Sequence, residues 1–286
     1  MIQRSAITLG ATLLCMKLLT ACSQQPLKAD SISTLQTEIE RLRTVVMETR
    51  AARGTPASLS QSMVQLAARI KPSIVLITSN LAFAYKTGAG FIYNSDGIIL
   101  TTDHVVRVDV RAKNDNGIET YYAETVQIQL ADGRKLKGRV IGIDPKTDLA
   151  AIKVQTDDLP APIALATHRV QQGELAFSLG HPLGFAWTQQ WRPVSAAYRK
   201  DKLFDTPVHQ LDGGFLEGDS GGPLIDLEGK LIGMVYSAIS YKYKDETKQD
   251  KTIVYSSIGW AIPAETIAAT APKLIAGDYT ITEWKD

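Results

Sequence analysis

Cysteine is almost absent from this chain. Cys15 and Cys22 are the only two in 286 residues, and both lie near the start. Cleavage before Cys22 would leave one thiol, so no intrachain disulfide could form and the core would have to hold the fold. A dominant charge is missing as well. Lys and Arg number 31 against 30 Asp and Glu, which argues against a surface built for polyanions, and no nucleic-acid partner is expected. No apolar run is long enough to span a bilayer as a mature helix. Metal-ligand spacing is lacking too: His168, His181 and His209 form no zinc-like pair, and Asn114-Asp115-Asn116-Gly117 reads as a turn without the acid spacing of a calcium loop. Neither a metal nor a cofactor is assigned. With 44% hydrophobic residues, the chain can still bury a sizeable core.

The first segment reads as a targeting signal. Arg4 precedes the apolar run from Ala6 to Met16, and Leu19-Thr20-Ala21-Cys22 resembles a bacterial lipobox. On that basis residues 1–21 are a lipoprotein signal peptide and Cys22 the lipidated residue, while an uncleaved interfacial helix or an ordinary secretory signal is the alternative. Several acyl chains on one cysteine would make the membrane attachment durable. The expected location is the bacterial cell envelope, facing the periplasm, and Ser23 favours the outer membrane.

Residues 22–57 form a tether with one helix. Ile32, Leu35, Ile39, Leu42, Val46 and Thr49 step by three and four, the a/d pattern of a heptad. Asp30 and Ser31 offer a cap, and Gly54 with Pro56 stops the run. A helix of that length is marginal alone in water. Residues 30–52 therefore either self-associate into a homo-oligomer or lie on their own protein.

From residue 58 to 286 the pattern changes to one domain of short strands. Met63, Leu66, Ala67 and Ile70 make a brief helical face, and Ser73–Thr78 starts the first strand. Runs at 90–93, 97–101, 126–130, 138–143, 151–154, 175–179, 222–225 and 231–236 follow, with Asp132-Gly133 and Glu228-Gly229 as hairpin turns. Residues 107–122 read as a polar insertion, and the mixed charges around Lys242–Lys251 as a solvated loop. Pro263–Leu274 reads as a short C-terminal helix. The class is all-β, of barrel type.

Chemistry concentrates in Gly218-Asp219-Ser220-Gly221-Gly222-Pro223. A serine hydroxyl needs a base and a place for the developing oxyanion before it can act as a nucleophile. The N–H groups of Gly218 and Ser220 are the candidate donors, with the Asp219 carboxylate turned inward to fix the loop. Upstream lie Thr101-Thr102-Asp103-His104 and Thr147-Asp148-Leu149, so the order is His104, Asp148, Ser220. That order is the one used by chymotrypsin-like enzymes. Taken singly, His104 could be a core histidine, Asp148 a turn residue and the glycine-rich stretch a bend.

The chain resembles the HtrA (DegP/DegS-like) branch of trypsin-like serine proteases. The resemblance rests on TGAGFI at 87–92, DGIILTTDHVV at 96–106, LADGR at 130–134, GIDPKTDLA at 142–150, SLGHPLG at 178–184, VSAA at 194–197, GDSGGPLIDLEGKLIGMV at 218–235 and IGWAIP at 258–263. It implies a chymotrypsin-like double β-barrel, with His104 and Asp148 on the first barrel and Ser220 on the second. It also implies a serine endopeptidase acting on polypeptides, with His104 as base, Asp148 as its orienting acid and Ser220 as nucleophile. Asp219 and Asp103 depart from the family, where Asn is usual at both places.

The resemblance places a substrate pocket along Gly213, Gly214, Phe215 and Leu216, facing Tyr236, Ser237, Ala238 and Ile239. No acid stands at Gly214, so preference for Arg or Lys is not expected, and a small or medium apolar side chain fits better. Too few residues follow Pro263 for the family's PDZ domain, so activation through one is not expected. The rival class is a non-catalytic chaperone or scaffold that keeps the protease fold.

Overall fold

The structure is a computed structural model. It describes residues 34, 36–45, 59–81, 84–111, 118–200, 204–237, 240–244, 250–254 and 257–277. The chain divides into two units, residues 1–58 and 59–286. In the first, residues 36–45 are helical, and Ile39 and Leu42 of the heptad stripe are 45% and 46% exposed. The signal peptide, Cys22 and the other heptad positions lie outside the described residues.

The second unit is built from two closed six-stranded barrels. After helix α1 (Leu59–Ile70) the first barrel takes β1 (Ile74–Leu81), β2 (Ala84–Ile92), β3 (Ile98–Thr102), β6 (Thr125–Gln129), β7 (Lys135–Asp144) and β8 (Leu149–Val154), in the order β1-β2-β3-β8-β7-β6. The second takes β9 (Leu175–Gly180), β10 (Thr188–Arg199), β11 (Val208–Asp212), β12 (Pro223–Ile225), β13 (Leu231–Ser237) and β16 (Ile258–Pro263), in the order β10-β11-β16-β13-β12-β9. Between β3 and β4 (Arg107–Arg111) runs a four-residue helix, α2 (Asp103–Val106).

Two stretches expected as loops are strand pairs. β4 pairs antiparallel with β5 (Ile118–Tyr122), and β14 (Ser240–Lys244) with β15 (Asp250–Val254). The first carries the alternation of a strand in Arg107-Val108-Asp109-Val110-Arg111, with Val108 and Tyr122 packed on the first-barrel cluster.

The strands nearest the site show why the core forms. β3 is buried along its whole length, and β8 nearly so. Their side chains alternate between two hydrophobic clusters: Ile99, Ala150 and Ile152 fill the first barrel, whereas Ile98, Leu100, Leu149 and Ala151 face a cluster that lies between the barrels. Alternation of period two thus puts both faces to use. The inter-barrel cluster also takes Phe177, Leu179, Ile225 and Leu231 from the second barrel.

Helix α3 (Ala264–Ala276) closes this seam. It touches β7 and β8 of one barrel and β13 and β16 of the other, through the buried residues Ile267, Ala271 and Leu274. Gly277 ends it in the left-handed conformation at φ 83°, as a C′ glycine commonly does. Ile267 is fully buried, so Ile267→Ala should remove about 2–4 kcal/mol of stability. The check is a urea unfolding curve with a lower midpoint at unchanged slope; an unmoved midpoint would mean that α3 does not brace the barrels.

Candidate active site

Strand register brings His104 and Asp148 together. β3 and β8 run antiparallel with Thr102 opposite Leu149, so the residues just beyond that pair, Asp103 and Asp148, must also face each other. The Asp103 N–H donates to the Asp148 carbonyl at 3.1 Å. One residue later, His104 is held twice by the Asp148 carboxylate. Its backbone N–H donates to Oδ1 at 3.0 Å, and its ring Nδ1 lies 2.7 Å from Oδ2. Asp148 itself sits at φ 54°, a left-handed conformation that Asp tolerates better than most residues.

Lys86 secures the other end of α2. Its ammonium donates to the carbonyls of His104 at 2.9 Å and Arg107 at 2.6 Å, which answers the free carbonyls at a helix end. With Nδ1–H given to Asp148, the Nε2 lone pair of His104 is the one left for a substrate-side proton. The ring is about a third exposed and meets Tyr236 edge-on at 6.1 Å.

Asp103 is a second buried acid in this cluster. The Arg107 guanidinium lies 2.8 Å from Asp103 Oδ2 and forms an ion pair with it. Burial pushes the Asp103 carboxyl up to about 7, against the pull of Arg107.

Ser220 lies just before β12 of the second barrel and touches the first barrel through its backbone. Its carbonyl accepts the N–H of Ala89 at 2.8 Å, and the next residue, Gly221, donates to Val235 O at 2.9 Å, the neighbour of Tyr236. Gly221 lies at φ 84°, and a Cβ there would sit 2.2 Å from both Ala89 O and Thr101 Oγ1. Only glycine permits that approach, three residues before His104 along β3. Among the described residues Ser220 Oγ makes no hydrogen bond, to His104 or to any other group. Such contacts are often long before substrate binds.

The preceding loop leaves its donors unspent. Asp219 N–H donates to Leu216 O at 3.0 Å and Gly222 N–H to Asp219 O at 3.0 Å. Neither Gly218 N–H nor Ser220 N–H has a hydrogen-bond partner among the described residues. Two free amides two residues apart, one of them the serine's own, can receive a negatively charged oxygen. Asp219 thus supplies no donor; its carboxylate turns inward, accepting from Leu216 N–H at 3.0 Å and Gln190 Nε2 at 2.8 Å.

Gly218 is at φ 98°, where a Cβ would lie 2.1 Å from His181 O. His181 is in turn fixed by three bonds. Its N–H donates to Gly218 O at 3.2 Å, its Nδ1 accepts from Trp187 N–H at 3.1 Å, and its Nε2 lies 3.1 Å from Val75 O. An accepting Nδ1 makes Nε2 the protonated nitrogen, so the ring is a neutral support under the loop.

The residues expected to line a substrate pocket differ in exposure. Gly214 is half-buried and Leu216 is 41% exposed. Phe215 is fully buried within the core of the second barrel, where its ring lies against Gly259 and beneath Arg192. Ala238 and Ile239 lie outside the described residues. Sequence reasoning overlooked Gln190 and Arg192 on β10, and no local motif marks them. No cluster of residues suited to a metal occurs among the described residues.

The model of a trypsin-like peptidase domain matches residues 88–234. A putative serine protease, HhoB, of Synechocystis sp. is 35% identical over 193 residues, covering 66% of this chain and 40% of that protein. A probable periplasmic serine endoprotease, DegP-like, of Hahella chejuensis is 37% identical over 152 residues, covering 53% of this chain and 29% of that one. The chain therefore spans well under half the length of these curated relatives. Among solved structures, a serine endoprotease from Yersinia pestis superposes with a TM-score of 0.59 at 25% identity, over 79% of this chain and 70% of that one. The HtrA-type protease AlgW with a tripeptide gives 0.60 at 24% identity, over 76% and 64%, a likeness of fold.

Burial lowers both His181 and His209 to about 4. Because the folded values lie below the unfolded one, each histidine costs stability as pH falls from about 6.5 towards 4, where only the unfolded chain takes up the proton. Histidine-selective NMR at about pH 5.5 should find both rings neutral, below the pH at which a free imidazole is half charged. A ring at either position titrating near 6.5 would contradict its placement.

Proposed function

The chain belongs to the trypsin-like peptidase family, and we propose that it is a serine endopeptidase cleaving polypeptides through His104, Asp148 and Ser220. The observation that carries this reading is the 2.7 Å contact between His104 Nδ1 and Asp148 Oδ2, which commits the ring's proton and leaves Nε2 as the base. Ser220 Oγ attacks the scissile carbonyl as His104 takes its proton, and the Gly218 and Ser220 N–H groups receive the oxyanion. Collapse breaks the C–N bond, with His104 returning the proton to the leaving amine. Water, deprotonated by the same ring, then hydrolyses the acyl-enzyme. Asp148 remains a carboxylate throughout and stabilises the imidazolium.

The setting is part of the same proposal. Relatives bear the name periplasmic endoprotease, which supports the cell envelope. Cys22 would carry the lipid anchor, and residues 30–52 would provide self-association. The substrates would be exposed or misfolded envelope proteins in a quality-control role, cut after small or medium apolar residues held beside Leu216.

Casein hydrolysis and labelling by a fluorophosphonate probe test it. Ser220→Ala should abolish labelling and lower turnover by about 10⁴-fold or more. A wild-type chain that neither cleaves nor labels, yet suppresses aggregation of an unfolded client as well as Ser220→Ala does, would instead identify a chaperone.

A further inference from the structure

Asp219 is 2% exposed, and a buried carboxylate is costly unless its charge is met. Oδ2 accepts from Leu216 N–H and from Gln190 Nε2, but Oδ1 lies against Gly180 with no hydrogen-bond partner among the described residues. Two neutral donors are a thin answer to a full negative charge. The cation stands one residue further along the relay. Gln190 Oε1 accepts from Arg192 Nε at 3.1 Å and Nη2 at 2.6 Å. The Gln190 amide is thereby oriented, its oxygen on the guanidinium and its NH₂ on the carboxylate, and a bridge polarised at both ends binds more strongly than either half.

Arg192 also holds the loop directly. Its Nη2 donates to Gly214 O at 2.6 Å and its Nη1 to Asp212 O at 3.2 Å. Residues 212–219 are therefore gripped at their start by the guanidinium and at their end by Asp219, which ties back to Leu216 through both its N–H and its Oδ2. Between these two grips lies Gly218, with its N–H unspent.

We propose that Arg192, acting through Gln190, is the internal counter-ion that fixes Asp219 and so holds the oxyanion loop with its amides turned to the cleft. The inference rests on the peptidase reading and assigns Arg192 and Gln190 as positioning residues for that same site. The clamp is made wholly from this chain's own side chains.

The test is a double-mutant cycle on full-length protein, read as the maximal rate of fluorophosphonate labelling of Ser220 and the probe concentration at half that rate. Arg192→Met should slow the maximal rate by about 10- to 100-fold, part of the effect of losing an oxyanion donor, and move the half-saturating concentration by less than about threefold. In an Asp219→Asn background, where no charge needs meeting, the same change should cost under about threefold. Thermal unfolding of all four proteins checks that they fold. Should Arg192→Met not fold, Gln190→Met cuts the relay, leaves the cation on Gly214, and enters the same cycle. An unchanged rate in Arg192→Met, or equal losses in both backgrounds, would overturn the inference while leaving the peptidase reading intact. A folded wild-type chain that does not label on Ser220 would sink that reading and the inference with it.

Discussion

The clasp between the Asp148 carboxylate and His104 is the interaction on which the rest of this structure turns. One carboxylate holds both the backbone and the ring of the histidine, at 3.0 and 2.7 Å. A ring held by one bond could rotate about χ1 and χ2. Here the backbone bond fixes the carboxylate relative to the main chain, and the ring bond then sets one tautomer, so the other nitrogen is left as an acceptor. The antiparallel register of β3 and β8 makes the clasp possible, and the left-handed backbone at Asp148 aims the carboxylate back along the neighbouring strand. Lys86 then pins the carbonyls of α2, which prevents the short helix from unwinding away from its partner.

The second barrel presents its loop to that fixed point through backbone contacts. The Ala89–Ser220 hydrogen bond and the close approach of Gly221 to the Ala89 carbonyl and the buried Thr101 hydroxyl join β2 and β3 to the serine loop. Behind this contact lies the inter-barrel cluster, sealed by α3. Burial between two barrels is a non-directional force, whereas the hydrogen bonds at 89 and 220 are directional. The first supplies stability and the second supplies register. His181 and Asp219 support the loop from beneath, one as a neutral ring and the other as a charged group with a distant cation.

Much of this was legible in the sequence, for physical reasons. β3, β8, β9, β12 and β13 are apolar runs bounded by turn residues, and buried strands write themselves in that way. The order of His104, Asp148 and Ser220 and the glycines of 218–222 are local signals, because tight turns demand small residues where backbones meet. β10 was not legible. Its burial hardly alternates, Pro193 interrupts it, and its pairing with β11 slips twice between Val194 and Arg199. Gln190 and Arg192 sit on that strand, and their role depends on a carboxylate nearly thirty residues away that only the fold brings near. The ribbons β4–β5 and β14–β15 were read as loops because their charged residues, Arg107, Asp109, Arg111, Lys242 and Lys244 among them, obscure a short alternation of larger side chains.

The central claim is that Asp148 makes His104 a base for Ser220. Its most direct measurement is the single-turnover rate at which a fluorophosphonate modifies Ser220 in Asp148→Asn compared with the unaltered chain. The amide keeps the size of the carboxylate but can present its NH₂ to the ring and favour the wrong tautomer, so the rate should fall by about 10³-fold or more. Equal rates in the two proteins would show that the clasp does not activate the serine.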